Sequence, residues 1–99
     1  MPLSENQRKT LRGLGHKLKP TVMVADKGLS DTVMHELESA LTFHELIKVS
    51  VRAGDRDVRD ALIADICSRT GAELAQRIGN IALIFRRNAD APKIVLGSR

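Results

Sequence analysis

Leu18-Lys19-Pro20-Thr21-Val22-Met23-Val24-Ala25-Asp26-Lys27-Gly28-Leu29-Ser30-Asp31 decides the fold of this chain. Pro20 pushes Lys19 towards extended backbone and closes whatever helix precedes it. Thr21–Ala25 then reads as a short strand rich in β-branched residues. Ala25-Asp26-Lys27-Gly28 is a tight loop of mostly small residues, and Ser30 with Asp31 supplies the cap and first-turn acid of a helix. A strand that runs through a tight loop into a helix begins a crossover unit, so the fold is of the α/β kind. The loop also ends where free backbone N–H groups and the positive end of a helix dipole meet, a natural seat for an anion.

Upstream, Ser4-Glu5-Asn6-Gln7 has the spacing of a capping box. Leu11, Leu14 and Leu18 follow at helical intervals, which predicts a first helix from about Glu5 to about Lys17. Gly13 and Gly15 weaken it by roughly 1 kcal/mol each relative to alanine. Downstream, Val33, Met34, Leu37, Ala40 and Leu41 form the apolar face of a second helix. In Leu46–Arg52, Ile47, Val49 and Val51 alternate with Lys48, Ser50 and Arg52, as a strand requires. Gly54-Asp55 opens a third helix with expected core positions Val58, Leu62, Ile66 and Cys67, and Gly71 ends it. Ala72–Ile78 and Ile81–Arg86 are strands joined by the two-residue turn Gly79-Asn80.

The expected order is therefore α-β-α-β-α-β-β: one domain with a four-stranded mixed sheet and three helices. Pairing is parallel early and antiparallel in the closing hairpin. The last strand is apolar on both faces, which places it centrally. Residues 1–87 form the domain, and 88–99 read as a flexible basic tail, polar with Pro92 and Gly97-Ser98-Arg99. A chain of 99 residues, 42% hydrophobic, can bury a core without disulfides or metal. It has one cysteine, Cys67, and no apolar run near the roughly 20 residues of a membrane span. These features lead to the expectation of a soluble, cytoplasmic monomer.

The net charge of +4 is unevenly placed. Residues 1–27 carry six Lys/Arg against two acids, residues 28–85 six against nine, and residues 86–99 four against one. The basic first segment coincides with the anion-type loop, which points to nucleic acid as the anion. The candidate contacts are Lys17, Lys19 and Lys27 around the loop, the loop residues Ala25, Asp26 and Gly28, and Lys48 with Arg52 on one side of the second strand. The chain has no Trp or Tyr, and Phe43 and Phe85 lie in apolar patterns. Recognition by aromatic stacking is thus disfavoured, leaving phosphate and 2′-OH contact plus shape.

The same pieces resemble the bacterial stand-alone CRM domain, the YhbY family of RNA-binding proteins. The resemblance is carried by Leu11-Arg12, His16 with Leu18-Lys19-Pro20, Lys27-Gly28-Leu29-Ser30 and His44-Glu45-Leu46-Ile47-Lys48-Val49. Thr70-Gly71-Ala72 and Ile78-Gly79 through Phe85-Arg86 complete it, from residue 5 to about 87. It implies a fold similar to the C-terminal domain of translation initiation factor 3. It also implies binding to ribosomal RNA in precursors of the large ribosomal subunit, with a role in ribosome assembly. The family loop is usually Gly-Lys-x-Gly, and this chain departs from it. Ala25 stands at the first glycine, which requires a negative φ there. Asp26 stands at the usual lysine, at a cost of about 1 kcal/mol beside a phosphate at surface dielectric. Lys27 partly restores the charge.

Other chemistry finds little support. His16, His35 and His44 lack metal-type spacing, so no metal or other cofactor is expected. His16 reads as a helix-ending residue and His44 as a structural hydrogen-bonding residue. Cys67 reads as core rather than nucleophile. No Walker loop, GxSxG or HExxH motif is present, so the chain is not expected to be an enzyme. Asp55, Asp57, Asp60 and Asp65 crowd one helix beside Arg56, Arg59 and Arg69, the pattern of a solvated, ion-paired face. The alternative function is a protein-binding adaptor acting through that acidic face or the tail.

Overall fold

Ser4 opens α1 (Glu5–Gly15) through a complete capping box, with Gln7 N–H donating to Ser4 Oγ and Ser4 N–H to Gln7 Oε1. The computed structural model describes residues 3–96. The remaining elements are β1 (Pro20–Val24), α2 (Asp31–His44), β2 (Leu46–Val51), α3 (Arg56–Thr70), β3 (Glu73–Ile78) and β4 (Ile81–Phe85). The expected order and the four-stranded mixed sheet with three helices are both present. Ends differ by one or two residues: α1 stops at Gly15 rather than Lys17, and β1 and β2 stop short of Ala25 and Arg52. Among the described residues no helix is long and apolar enough to cross a membrane.

The strand order is β1-β2-β4-β3, with β1 parallel to β2 and both other pairs antiparallel. β4 is interior, as its two apolar faces require. One face of the sheet is the main core: Val22, Val24, Ile47, Val49, Val51, Ala82 and Ile84 pack under Leu37 and Leu41 of α2 and Ile63 and Ile66 of α3. Each fully buried aliphatic side chain here contributes roughly 1.5–3 kcal/mol. The other face is covered in part by α1, whose Leu11 packs with Leu46, Ala75, Leu83 and Phe85.

Several expected core positions move. Leu11 alone of the α1 leucines is buried, while Leu14 is 47% exposed and Leu18 lies beyond the helix. Val58 is 45% exposed, because α3 turns Ile63, Ile66 and Thr70 inward. Val58 instead packs beneath Gly54 in the preceding turn, where a Cβ on Gly54 would stand 2.8 Å from it. Phe43, expected in an apolar pattern, is exposed, and the Lys93 ammonium lies 4.0 Å from its ring centroid.

Gly15 has a tertiary purpose that helix propensity hides. A Cβ there would sit 2.6 Å from a Leu83 methyl, so the bare backbone lets the end of α1 lie directly on β4. Of the segment 88–99, residues 97–99 lie outside the described residues. Residues 88–96 carry no helix or strand, and Ile94 and Leu96 pack against the smaller core.

Candidate nucleic-acid interface

The turn after β1 is closed by Gly28 N–H donating to the Ala25 carbonyl at 2.8 Å. Gly28 has φ +72, a conformation open to glycine at little cost. Glu45 is the one positive-φ residue other than glycine among those described, so Ala25 meets the negative-φ condition its methyl imposes. Ser30 then caps α2, its Oγ accepting from Val33 N–H at 3.2 Å. That leaves the Asp31 and Thr32 N–H groups without helical acceptors at the end of the dipole. Asp31 is the first-turn acid of α2 and Asp26 lies in the turn before it, so Lys27 is the loop's own source of positive charge.

Parallel pairing fixes where the other cations stand. Arg52 N–H continues the ladder by donating to Val24 O at 2.7 Å, so Arg52 joins the loop at the C-terminal end of β1. Pro20 is in register with Lys48, which places Lys17, Lys19 and Lys48 at the opposite end. The expectation that Lys17 and Lys19 surround the loop is thus corrected. They precede β1, and a five-residue strand separates the two ends by about 13 Å. The cations form a line along the outer strand pair rather than a cluster. Lys17, Lys19, Lys27 and Arg52 are exposed, and Lys48 is half-buried.

None of these five cations is in an ion pair among the described residues. Cations elsewhere are differently placed: Arg12 pairs with Glu5, Arg69 with Asp65, Arg77 with Asp60 and Arg86 with Glu38. The acids of α3 are largely taken up in the same way. Asp55 Oδ1 caps the helix by accepting Val58 N–H at 3.1 Å, while Asp60 and Asp65 hold arginines.

His16 caps α1 through its backbone N–H, which donates to Arg12 O at 3.1 Å. The His44 ring meets Phe43 edge-on at 4.8 Å and makes no hydrogen bond among the described residues. The structural hydrogen bonding expected of His44 falls to its neighbour. Glu45 is fully buried, with φ +64. Its Oε2 accepts Asn88 N–H at 2.6 Å, and its Oε1 accepts Lys93 and Ile94 N–H at 2.7 and 2.8 Å. Burial pushes this carboxyl up, but the three amide donors and the nearby Arg87 outweigh it and hold it below the usual range. A glutamate between a helix end and an apolar strand was the available signal. Cys67 is half-buried against the main core, and burial with the charge of Glu73 raises its thiol pKa, which opposes nucleophilic use.

Residues 3–86 match the CRS1 / YhbY (CRM) domain. A probable RNA-binding protein of Pseudomonas aeruginosa is 44% identical over 88 residues, covering 89% of this chain and 85% of that protein. An RNA-binding protein of Haemophilus influenzae is 42% identical over 89 residues, covering 90% of each. The solution structure of a hypothetical protein from Staphylococcus aureus superposes with a TM-score of 0.82 at 28% identity, covering 97% of this chain and all of that one.

Proposed function

The chain belongs to the CRS1 / YhbY (CRM) domain family, and from that premise we propose that it is an RNA-binding protein of ribosome assembly. It joins ribosomal RNA in precursors of the large subunit, as a cytoplasmic monomer that needs no cofactor and catalyses no reaction. The observation that carries this reading is the line of five cations along β1 and β2, ending at the α2 N-terminus, none of them in an ion pair among the described residues. Cations held in such a line meet successive phosphates of a backbone and fix its direction. The loop seats one phosphate through backbone donors and Lys27. Lys17, Lys19, Lys48 and Arg52 set the orientation. The names of the Pseudomonas and Haemophilus relatives support RNA as the polyanion.

The test is a sucrose-gradient profile of cell lysate probed for this protein, with and without ribonuclease, at low and high salt. Sedimentation with particles short of the mature large subunit, lost in high salt or after ribonuclease, is the expected result. Counterion release makes phosphate-based binding fall steeply with salt. A protein that stays at the top of the gradient in every condition overturns the assembly role.

A further inference from the structure

α1 covers one end of its sheet face and leaves the other end open. A hollow remains there, lined by His16 at the end of α1, Lys48 of β2, Gln76 and Ile78 of β3, and Ile81 of β4. A bulge builds it. Leu74 pairs with Ile84 and Gln76 with Leu83, so Ala75 is an extra residue in β3. Strict alternation from Leu74, which packs towards the main core, would turn Gln76 and Ile78 to the core side. The extra residue reverses them: Gln76 and Ile78 reach the α1 face, and Arg77 is sent the other way to pair with Asp60 of α3. Bulges re-aim side chains in this manner next to binding sites.

The chemistry of the hollow is mixed in a particular way. Ile78 is 66% exposed and Ile81 half-buried, giving an aliphatic floor. Gln76 brings an amide able both to donate and to accept, His16 an imidazole, and Lys48 a cation that makes no ion pair among the described residues. Beside it on the same face lies Met23, 54% exposed, in register with Ser50. The Ser50 hydroxyl is buried, has no hydrogen-bond partner among the described residues, and stands across from Ile81. Lys17 and Lys19 lie before Pro20, at the Lys48 end of the hollow, and the Met23 row lies towards Arg52. An apolar floor, an amide and a flanking cation match the three parts of a nucleotide: a flat base, its polar edge and its phosphate. A duplex keeps its bases stacked away from such a floor.

We propose that this hollow holds one unpaired nucleotide of the bound RNA, its base on Ile78 and Ile81, its edge on Gln76 and its phosphate on Lys48. The assignment rests on the RNA reading above and adds to it a preference for unpaired RNA. Aliphatic side chains here take the place of the tryptophan and tyrosine the chain lacks.

The experiment is a filter-binding titration of the full chain with a mixed-sequence single-stranded RNA about ten nucleotides long and a blunt RNA duplex of equal length. Each is run with wild type, Ile78→Ser and Lys27→Gln across a salt series. Ile78→Ser removes apolar surface from an exposed position without changing charge. It is expected to weaken single-strand binding about tenfold with an unchanged salt slope, and to leave duplex binding alone. Lys27→Gln is expected to weaken both RNAs and to lower the salt slope by about one. A second readout is the set of backbone amide shifts on adding the single strand, expected at Lys48, Gln76, Ile78 and Ile81. Single-strand affinity within twofold of wild type in Ile78→Ser, or shifts confined to Ala25–Gly28 and Arg52, overturns the nucleotide seat while the RNA reading stands. A wild-type protein that binds neither RNA overturns both.

Discussion

The β1·β2 edge, on one hand, and the Glu45 corner with the α3·β3 flank, on the other, are built from the same charged residue types and use them in opposite ways. At the corner, charge is consumed by the fold. Glu45 ties Asn88, Lys93 and Ile94 to the end of α2. Arg86 reaches Glu38 at 2.6 Å, Thr70 O at 2.9 Å and Thr42 Oγ1 at 3.0 Å, joining α2, α3 and the end of β4. Along β1·β2, Lys17, Lys19, Lys27, Lys48 and Arg52 make no ion pair among the described residues. Net charge therefore says little about where a polyanion binds. What matters is which cations the fold has already neutralised.

Glu45 offers the hardest test of that division. Replacing it with Gln weakens the acceptor for three amides at a fully buried position, and a loss of about 2 kcal/mol in urea unfolding is expected, with RNA affinity unchanged. Its pH signature is specific. The folded carboxyl lies below its ordinary value of 4.5, so the stabilisation is complete above that value and is lost as pH falls through the folded pKa. Acid unfolding followed by circular dichroism is expected to show a decline below pH 4.5 in wild type that is shallower in Glu45→Gln. An identical acid limb in the two proteins would break the assignment.

On the open edge, the order of effects reverses. Lys27→Glu is expected to lower RNA affinity about tenfold with no change in unfolding midpoint. Lys93→Glu is the matched control, because the Lys93 side chain is already engaged with Phe43. Equal losses in a filter-binding titration would mean that the loop has no special part. Asp26→Lys, which restores the usual family residue, is expected to tighten binding roughly threefold by removing repulsion at the α2 N-terminus. An unchanged affinity would place that side chain away from the RNA. The smallest effect is expected on the flank. Arg77→Ala breaks the pair with partly exposed Asp60 and is expected to cost under about 1 kcal/mol of stability, with RNA affinity unaltered. An affinity loss there would erase the contrast between the two regions.

Local rules were sufficient wherever one element's own residues set the outcome. The Ser4 and Ser30 caps, the Gly71 stop and the Gly79-Asn80 turn are visible as spacings because each acts within a few residues. The alternation of β2 and the doubly apolar β4 likewise placed those strands and the sheet's interior. Periodicity failed where burial depends on another element. Leu14 and Val58 have helical spacing, yet both are about half exposed, because their helices turn other residues inward. The candidate site was legible as a list of residues and not as a shape, since only the parallel register puts Lys48 at the Lys17–Lys19 end of β1 and Arg52 at the Lys27 end.

The sequence by itself determined the element order, the α/β class, the loop that ends on a helix N-terminus and the basic character of that region. These depend on dihedral preference, capping and hydrophobic period, all short-range in the chain. Only the tertiary structure decided that Gly15 brings α1 onto Leu83, that an extra residue in β3 turns Gln76 and Ile78 to the open face, and that buried Glu45 gathers the segment after β4. Each depends on which surfaces meet across the sheet. The free energy of a buried charge or a close backbone approach is set by neighbours distant in sequence.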